Sequence, residues 1–400
     1  MNCCDRVDVR IVNETCQCRF VTRASVDQTL ASGRPELAAA LDARPGLFAA
    51  TDVFIGHQTR ADILGQVQAL EAVLSSAPWT AHVADRNRDA TIVAQPGPAG
   101  MLMGYDFHIA PDGPRLIEIN TNAGGAFLMA EREGVEATGR LTEMVFDEWQ
   151  RARRTASPRT LAIVDDAPED QFLYPDMLIA RDLLLAAGID TVIANASDLT
   201  FDGKLRVDGR VIDMVYNRLT DFLLAEPRHG ALRAALLSDA AVISPAPRHH
   251  ASHADKRNLA TLTDPDALSR LGIDPFPLAA LPRVIQVKAD DEDRLWATRR
   301  GLFFKPEAGF GGRGVYRGEK LTRGTFHRLM AGGYVAQDYV PPALRAIPAE
   351  DGAGPLKYDL RVYTYAGRTL LLAARLYQGQ ATNFRTPGGG LARVVAMQSS

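Results

Sequence analysis

The amino-acid sequence predicts an α/β chain with α+β elements, organised in more than one domain. Short apolar strands alternate with helical segments over 158–246. A hairpin with one polar face occupies 101–120. The last hundred residues are rich in strands and carry glycines at 309, 311, 312 and 314. Strand–helix alternation implies a parallel sheet covered on both faces. The 400 residues suffice for two or three domains, and the changes of texture divide the chain at 1–157, 158–246 and 247–400.

Taken in order, residues 1–25 are polar and mixed, and their structure stays open. Cys3, Cys4, Cys16 and Cys18 all lie there. Their spacing departs from the Cys-x₂-Cys pairs of zinc sites, so a loose terminal segment is favoured over a metal site. With no cysteine elsewhere, disulfides are not expected to hold the fold, and a reducing cytoplasm is the default setting. Residues 26–78 carry helical stripes: Leu30, Leu37, Ala40 and Leu41, then Ile63, Val67, Leu70 and Leu74. Thr91-Ile92-Val93 reads as a short strand. Met101 to Ile109 and Arg115 to Asn120 form a hairpin about Ala110-Pro111-Asp112-Gly113. Gly124-Gly125 then opens a long helix, about Ala126 to Arg151.

Leu161 to Val164, Thr191 to Ala194, Val211 to Tyr216 and Ala241 to Ile243 are the strands of the α/β stretch. Asp176 to Ala187 and Ala231 to Leu237 are its helices, and Phe201-Asp202-Gly203-Lys204 turns a small hairpin. Residues 251–300 read as mainly helical, broken at Pro275 and Pro277. Strands follow at Leu302–Lys305, Gly314–Arg317, Tyr334–Gln337, Asp359–Tyr365 and Leu370–Tyr377. His249, His250 and His253 sit in a Pro- and Ala-rich linker, where a solvated connection is favoured over a metal site.

Composition excludes several partners. A net charge of -3 with 23% charged residues gives no basic nucleic-acid footprint. No apolar run reaches the length of a membrane span, and the first residues lack the apolar core of a signal peptide. In the α/β stretch, Asp165-Asp166-Ala167-Pro168 follows the first strand where a dinucleotide fingerprint would need glycines.

Two segments carry chemistry. In Phe303 to Tyr316 a strand ends on Lys305, and Gly309, Gly311, Gly312 and Gly314 let the backbone approach a ligand closely. Consecutive N–H groups beside a lysine suit a polyphosphate. No Gly-Lys-Ser/Thr closes the run, which excludes a Walker A loop. A tight hairpin without ligand is the other reading. In the 101–120 hairpin, Glu118, Asn120 and Asn122 fall two apart and share a face, with Ile117, Ile119 and Thr121 opposite and Asp106 on the partner strand. Such oxygen donors suit Mg²⁺; an exposed polar edge is the alternative.

Ile117-Glu118-Ile119-Asn120-Thr121 resembles the metal-binding segment of ATP-grasp ligases. Here it precedes the phosphate loop, an order resembling the circularly permuted group that holds eukaryotic-type glutathione synthetase and glutathionylspermidine synthetase. Other segments fall in that family's order. Tyr216-Asn217-Arg218 resembles the strand end presenting a substrate arginine. Asp255-Lys256-Arg257 and Phe304-Lys305-Pro306 resemble the two nucleotide-lysine segments. Tyr334 to Val340 resembles the adenine strand and hinge, and Asp359-Leu360-Arg361 the ribose-side segment. Asn383-Phe384-Arg385-Thr386 with the glycines at 388–390 resembles the second substrate arginine and a closing loop.

The resemblance implies a permuted ATP-grasp fold with the α/β unit inserted as a substrate domain. It implies an ATP-dependent, ADP-forming carboxylate–amine ligase acting through an acyl phosphate on small-molecule or peptide substrates, as a possible homodimer. ATP would be held by Lys256, Lys305, Gly309, Gly311, Gly312, Gln337, Asp338, Val340 and Asp359. Mg²⁺ would be held by Asp106, Glu118 and Asn120, and Arg218, Arg361 and Arg385 would act on substrate. Three positions depart from the family. Gly104 stands where it has an arginine, with Arg361 and Arg375 as substitute cations. Gly309 stands where it often has a metal-binding glutamate, with Glu307 nearby. Pro387 replaces a nucleotide lysine. These departures keep open a degenerate ATP-binding sensor or scaffold, and a phosphotransferase.

Overall fold

The computed structural model describes residues 8–16, 19–153, 157–309, 314–348 and 354–397. Helices Val9–Thr15, Arg23–Ala31 and Pro35–Asp42 lead to β1 (Val53–Gly56), and helices His57–Leu74 and Ala77–Arg86 follow. β1 interrupts the helical stretch unannounced: all four of its residues are buried, so no alternation marks it. Thr91–Val93 is not a strand but part of helix Ala90–Val93. The Asp89 carboxylate accepts from Thr91 N–H at 2.9 Å, and that cap outweighs β propensity over so short a run. The hairpin is β2 (Met103–Ala110) and β3 (Gly113–Asn120), about the Pro-Asp-Gly turn. The long helix beyond it is two helices, Ala126–Glu133 and Val135–Arg153, separated by Gly134 at φ 108°.

β4 (Thr160–Asp165) and β5 (Asp190–Asn195) begin the next unit. A small antiparallel ribbon follows, β6 (Thr200–Phe201), β7 (Leu205–Val207) and β8 (Arg210–Val211). β9 (Met214–Asn217) and β10 (Val242–Ser244) complete a four-stranded parallel sheet in the order β10-β9-β4-β5. The single strand expected at Val211–Tyr216 is divided between β8 and β9, because Ile212 N–H is drawn to Leu205 O at 2.8 Å. The sheet is apolar on both faces. Leu161, Ile163 and Tyr216 join a core with Met177 and Phe127, while Ala162, Val164 and Val215 pack on Leu232, Leu236 and Leu205.

β11 (Val284–Gln286), β12 (Leu302–Pro306), β13 (Tyr316–Arg317) and β14 (Tyr334–Asp338) form an antiparallel sheet, β11-β14-β12-β13. β12 alternates: Leu302 and Phe304 enter a core with Leu295, Phe326 and Leu329, while Phe303 and Lys305 face a cavity. Phe304 meets Phe326 edge-on at 5.7 Å.

The largest sheet joins both ends of the chain. β15 (Ala343–Arg345), β16 (Leu356–Tyr365), β17 (Arg368–Tyr377) and β18 (Gly390–Met397) combine with the first three strands in the order β1-β18-β17-β16-β2-β3, with β15 on β16. β18 lies parallel to β1 and antiparallel to β17. Tyr358, Leu360 and Val362 of β16 pack with Ile63, Val67 and Leu70 of helix His57–Leu74, so Asp359 and Arg361 turn to the other face. The glycines at 388–390 are not a free hinge. Gly390 opens β18 at φ 121°, and a Cβ there would lie 2.7 Å from Gly46 O and Leu47 O; at Gly389 it would lie 2.6 Å from Leu376 O. Close backbone approach is what requires glycine at these two positions.

Two linker readings also change. Residues 8–16 are anchored, not loose. The Asn13 side chain bonds Phe54 N and O at 3.0 and 2.8 Å, and fully buried Arg345 donates to Cys16 O, Asp52 O and Thr51 Oγ1 at 2.6–2.8 Å. Cys16 is disulfide-bonded, against the expectation from the cysteine count; Cys3, Cys4 and Cys18 lie outside the described residues. His249, His250 and His253 are buried, not solvated. Residues 247–254 are helical, and the small side chains taken for a linker let this turn pack under β3. His249 Nε2 donates to Pro98 O at 3.1 Å while its Nδ1 accepts from Ala246 N–H. Among the described residues no helix is long and apolar enough to cross a membrane.

Candidate active site

The polar face of the large sheet and the cavity face of the β11–β14 sheet enclose a space of about 310 Å³. Register brings its first groups together. Asp106 on β2 stands opposite Glu118 on β3 and Arg361 on β16. A bulge between Asp106 and Phe107 corrects the simple alternation expected for β3. Leu116 and Ile119, three apart, are the core residues, and Ile117 joins Glu118 and Asn120 on the cavity side. A bulge inserts one residue and re-aims its neighbours. Asn122, at φ 54°, leaves that row and accepts from Arg218 at 3.3 Å.

Asp106 is buried and saturated. Arg361 grips it with two bonds, Nε to Oδ1 at 2.6 Å and Nη2 to Oδ2 at 2.7 Å. Arg375 Nη2 donates to Oδ2 at 2.7 Å, and Asn120 Nδ2 at 2.9 Å. Burial alone would raise the Asp106 pKa; Arg361 and Arg375 outweigh it and hold the carboxyl well below its ordinary range. Asp359, opposite Arg375 on the neighbouring strand, accepts from Arg375 Nε at 2.8 Å and from the Thr382 hydroxyl. It stands behind the cavity wall and orients the arginine.

The lysines arrive from elsewhere. Lys256 Nζ lies 3.2 Å from Glu118 Oε1 and donates to Gly309 O at 3.0 Å. Lys305 Nζ donates to Ile117 O at 2.7 Å. Burial pushes Lys305 down to about 8; Glu118 opposes that shift and Lys256 adds to it. Burial raises Glu118, and Lys256 and Lys305 reverse this to a net lowering. Glu307, the substitute carboxylate near Gly309, is held by Gln286 Nε2 at 2.6 Å and does not line the cavity.

At the opposite end the walls turn apolar. Phe303, Tyr339, Val340, Pro342 and Tyr377 line a slot bordered by Gln337 and Asp338. Phe303 stacks on Tyr339 at 6.1 Å, and the Arg317 guanidinium covers the Tyr339 ring at 4.5 Å. His108 Nδ1 donates to Val340 O at 2.7 Å and its Nε2 meets the Tyr377 hydroxyl at 3.2 Å. Burial keeps this imidazole neutral by lowering its pKa.

Of the expected residues, Asp106, Glu118, Asn120, Lys256, Lys305, Gly309, Gln337, Asp338, Val340 and Arg361 line one cavity. Gly311 and Gly312 lie outside the described residues. Arg218 and Arg385 are not brought to it. Arg218 is buried, bonded to Tyr216 Oη at 2.9 Å and flanked by Asp165 and Asp176 at 3.8 and 3.9 Å. Its Nε makes no hydrogen bond among the described residues and has only the longer ion pair with Asp165. Burial carries Asp165 up to about 6 despite Arg218. Arg385 is exposed. The residues missed include His108, Arg317, Lys320, Lys357, Tyr377 and Thr382. Lys357 continues the alternation of Asp359 and Arg361, and that signal was readable. His108 stands two beyond Asp106 on β2, whose alternation is unbroken because the extra residue of the bulge, Ile117, is on β3, so that signal was readable too.

The oxygen donors of Asp106, Glu118 and Asn120 fit a hard divalent cation by chemistry. Asn120 keeps its Oδ1 while its amide donates to Asp106. At Asp106 a cation would have to compete with arginine.

No protein-family profile and no curated protein matches the chain. Among solved structures, a glutathione synthetase-like effector from Globodera pallida, in its apo form, aligns with a TM-score of 0.51 and 11% identity, over 94% of this chain and 99% of that one. A candidate gamma-glutamylcysteine synthetase from Methylobacillus flagellatus aligns with a TM-score of 0.47 and 13% identity, over 82% and 86%. The ATP-grasp ligase PsnB, bound to a precursor variant, Mg and ADP, gives a TM-score of 0.31 and 18% identity, over 53% and 87%. At these identities the likeness is one of fold.

Proposed function

We propose that this chain, whose fold is the ATP-grasp fold of glutathione synthetase-like proteins, is an ATP-dependent carboxylate–amine ligase with its segments in permuted order. One observation carries the reading. Residues from the 101–120 hairpin, the 255–257 turn, the 303–309 loop and the 337–340 segment converge on one cavity, with Lys256, Lys305, Arg361 and Arg375 around its carboxylates and an aromatic slot, capped by Arg317, beside them. That polarity matches a nucleoside triphosphate: base between Phe303 and Tyr377, phosphates toward Lys256 and Lys305.

Asp106, Glu118 and Asn120 would hold Mg²⁺, which when bound neutralises the β- and γ-phosphates. Lys256 and Lys305 bind phosphate oxygens. A substrate carboxylate oxygen attacks the γ-phosphorus, the bond to the β-phosphate oxygen breaks, and ADP leaves. An amine nitrogen then attacks the acyl carbon, loses a proton and expels phosphate, leaving an amide. The chain contributes position and fixed charge, the main terms in phosphoryl transfer. Arg361 and Arg375 supply the cations for charge developing on the transferred group; glycine at 104 serves close packing, since a Cβ there would lie 2.7 Å from Ala123 Cβ. Arg218 and Arg385 would bind substrate carboxylate only after rearrangement.

Calorimetric titration of MgATP should give saturable binding to the wild type, lost in Lys305→Ala; absence of binding to the wild type overturns the reading. Glu118→Ala should abolish ADP release on acid–amine pairs while the variant still folds cooperatively, at a lowered melting temperature because buried Lys256 loses its counterion. A second reading, nucleotide binding without turnover, is favoured by the saturated Asp106 and predicts binding with no ADP release for any pair.

A further inference from the structure

The carboxylates at the cationic part of the cavity, Asp106 and Glu118 on its wall and Asp359 behind it, are already matched to cations. Asp106 carries Arg361 and Arg375, Asp359 carries Arg375, and Glu118 carries Lys256. With Lys305 beside them, four cations face three carboxylates, so the empty cluster has net positive charge. A bare divalent cation meets repulsion there, and at Asp106 it meets an oxygen pair filled by a bidentate guanidinium. A polyphosphate meets attraction.

We propose that Arg361 and Arg375 guard Asp106, so that a divalent cation enters this site only together with phosphate groups. The exchange has a direction. Two oxygens of a phosphate group can accept a guanidinium fork in the bidentate way that the Asp106 carboxylate now does. Asp106 is then released to the metal, and the two guanidinium groups move onto the group being transferred. Asp359 supports this step by keeping its hold on Arg375 Nε, so that Arg375 swings on a fixed pivot. Arg361 has no second carboxylate among its bonds and passes over whole. The arginines thus serve in two states, as counterions in the empty site and as phosphate ligands in the filled one. Removing one partner from a buried ion pair leaves an uncompensated charge and is costly, which makes the exchange concerted: neither the metal nor the nucleotide completes the site alone.

This inference rests on the nucleotide reading for its second state, but its first state is testable without it. Mn²⁺ is the probe, since its unbound signal is read directly by electron paramagnetic resonance. Titrations at pH 7.5 would use the wild type, the double variant R361Q/R375Q and the single variant R375Q, each alone and with a non-hydrolysable ATP analogue. The wild type should bind Mn²⁺ at least about tenfold more tightly with the analogue than without, and Mn²⁺ should tighten the analogue by the same factor, as linkage requires. Analogue alone binding as well as analogue with Mn²⁺ overturns the proposal, as does Mn²⁺ binding the wild type equally with and without analogue. The double variant should gain about tenfold or more for Mn²⁺ alone; no gain in a folded variant overturns the guard. If the double variant melts below the assay temperature, R375Q carries the same comparison with a smaller gain. Failure of the nucleotide reading has its own signature: the analogue does not bind the wild type with or without metal, while the gain of Mn²⁺ in R361Q/R375Q still decides the guard at Asp106.

Discussion

A single lysine sets the pH behaviour of the site. Lys305 is held near 8, against 10.5 for an unperturbed lysine, because its ammonium is buried and Lys256 stands nearby. Below pH 8 the group is charged in the folded and the unfolded chain. Between pH 8 and 10.5 only the unfolded chain keeps the proton, so this residue's contribution to stability rises with pH across that window. Nucleotide affinity should run the other way, weakening as pH passes 8 and the phosphate-facing charge is lost, with proton uptake on binding. Calorimetry in buffers of different ionisation enthalpy measures the uptake, and chemical denaturation at the same pH values measures the opposite slope. Lys305→Arg, charged throughout, should flatten both. At this scale Asp106, Glu118, Asn120 and Lys305 were legible as candidates from residue type and spacing, and Lys256 only from the resemblance of its segment. What spacing does not carry is which cation neutralises which carboxylate. Arg361 and Arg375 meet at Asp106 through three-strand register, and Asp359 reaches the cavity only through Arg375.

The elements divide along the same line. β12 announced itself through one buried face, and β16, though buried on both, through the polar–apolar alternation of Lys357 to Val362. β1, apolar throughout and only four residues long, did not. Helix ends went to local capping: Asp89 turned an expected strand into a helical turn, and Gly134 cut one helix into two. The glycines at 388–390 are the clearest case of one composition with two meanings. Glycine serves freedom in a loop and closeness in a packed strand, and only the backbone contacts of β18 tell these apart. Gly390→Ala tests the second meaning. It places a methyl group 2.7 Å from Gly46 O and Leu47 O at a φ of 121°. The expected loss is about 1–3 kcal/mol of stability or more, measured by denaturant unfolding. A free hinge would lose almost nothing.

At the scale of the whole molecule, the α/β stretch was readable because its strands and helices are local, whereas the large sheet is assembled from both ends of the chain. The candidate site inherits that dependence. Asp106 and Glu118 come from early strands, and the arginines that neutralise them come from strands near the other end. This ordering has a consequence during synthesis. When β1 and the β2–β3 hairpin leave the ribosome, β16, β17 and β18 have not been made. At ~5–20 residues per second the early strands wait on the order of ten to fifty seconds for their partners. Over that interval Val53–Gly56 and one edge of the hairpin expose unpaired backbone and apolar side chains, a surface open to chaperones and to neighbouring nascent chains alike. A carboxylate site spread across the ends of a chain is thus assembled only after translation has passed its last strand, and the nascent protein lacks the cavity until then.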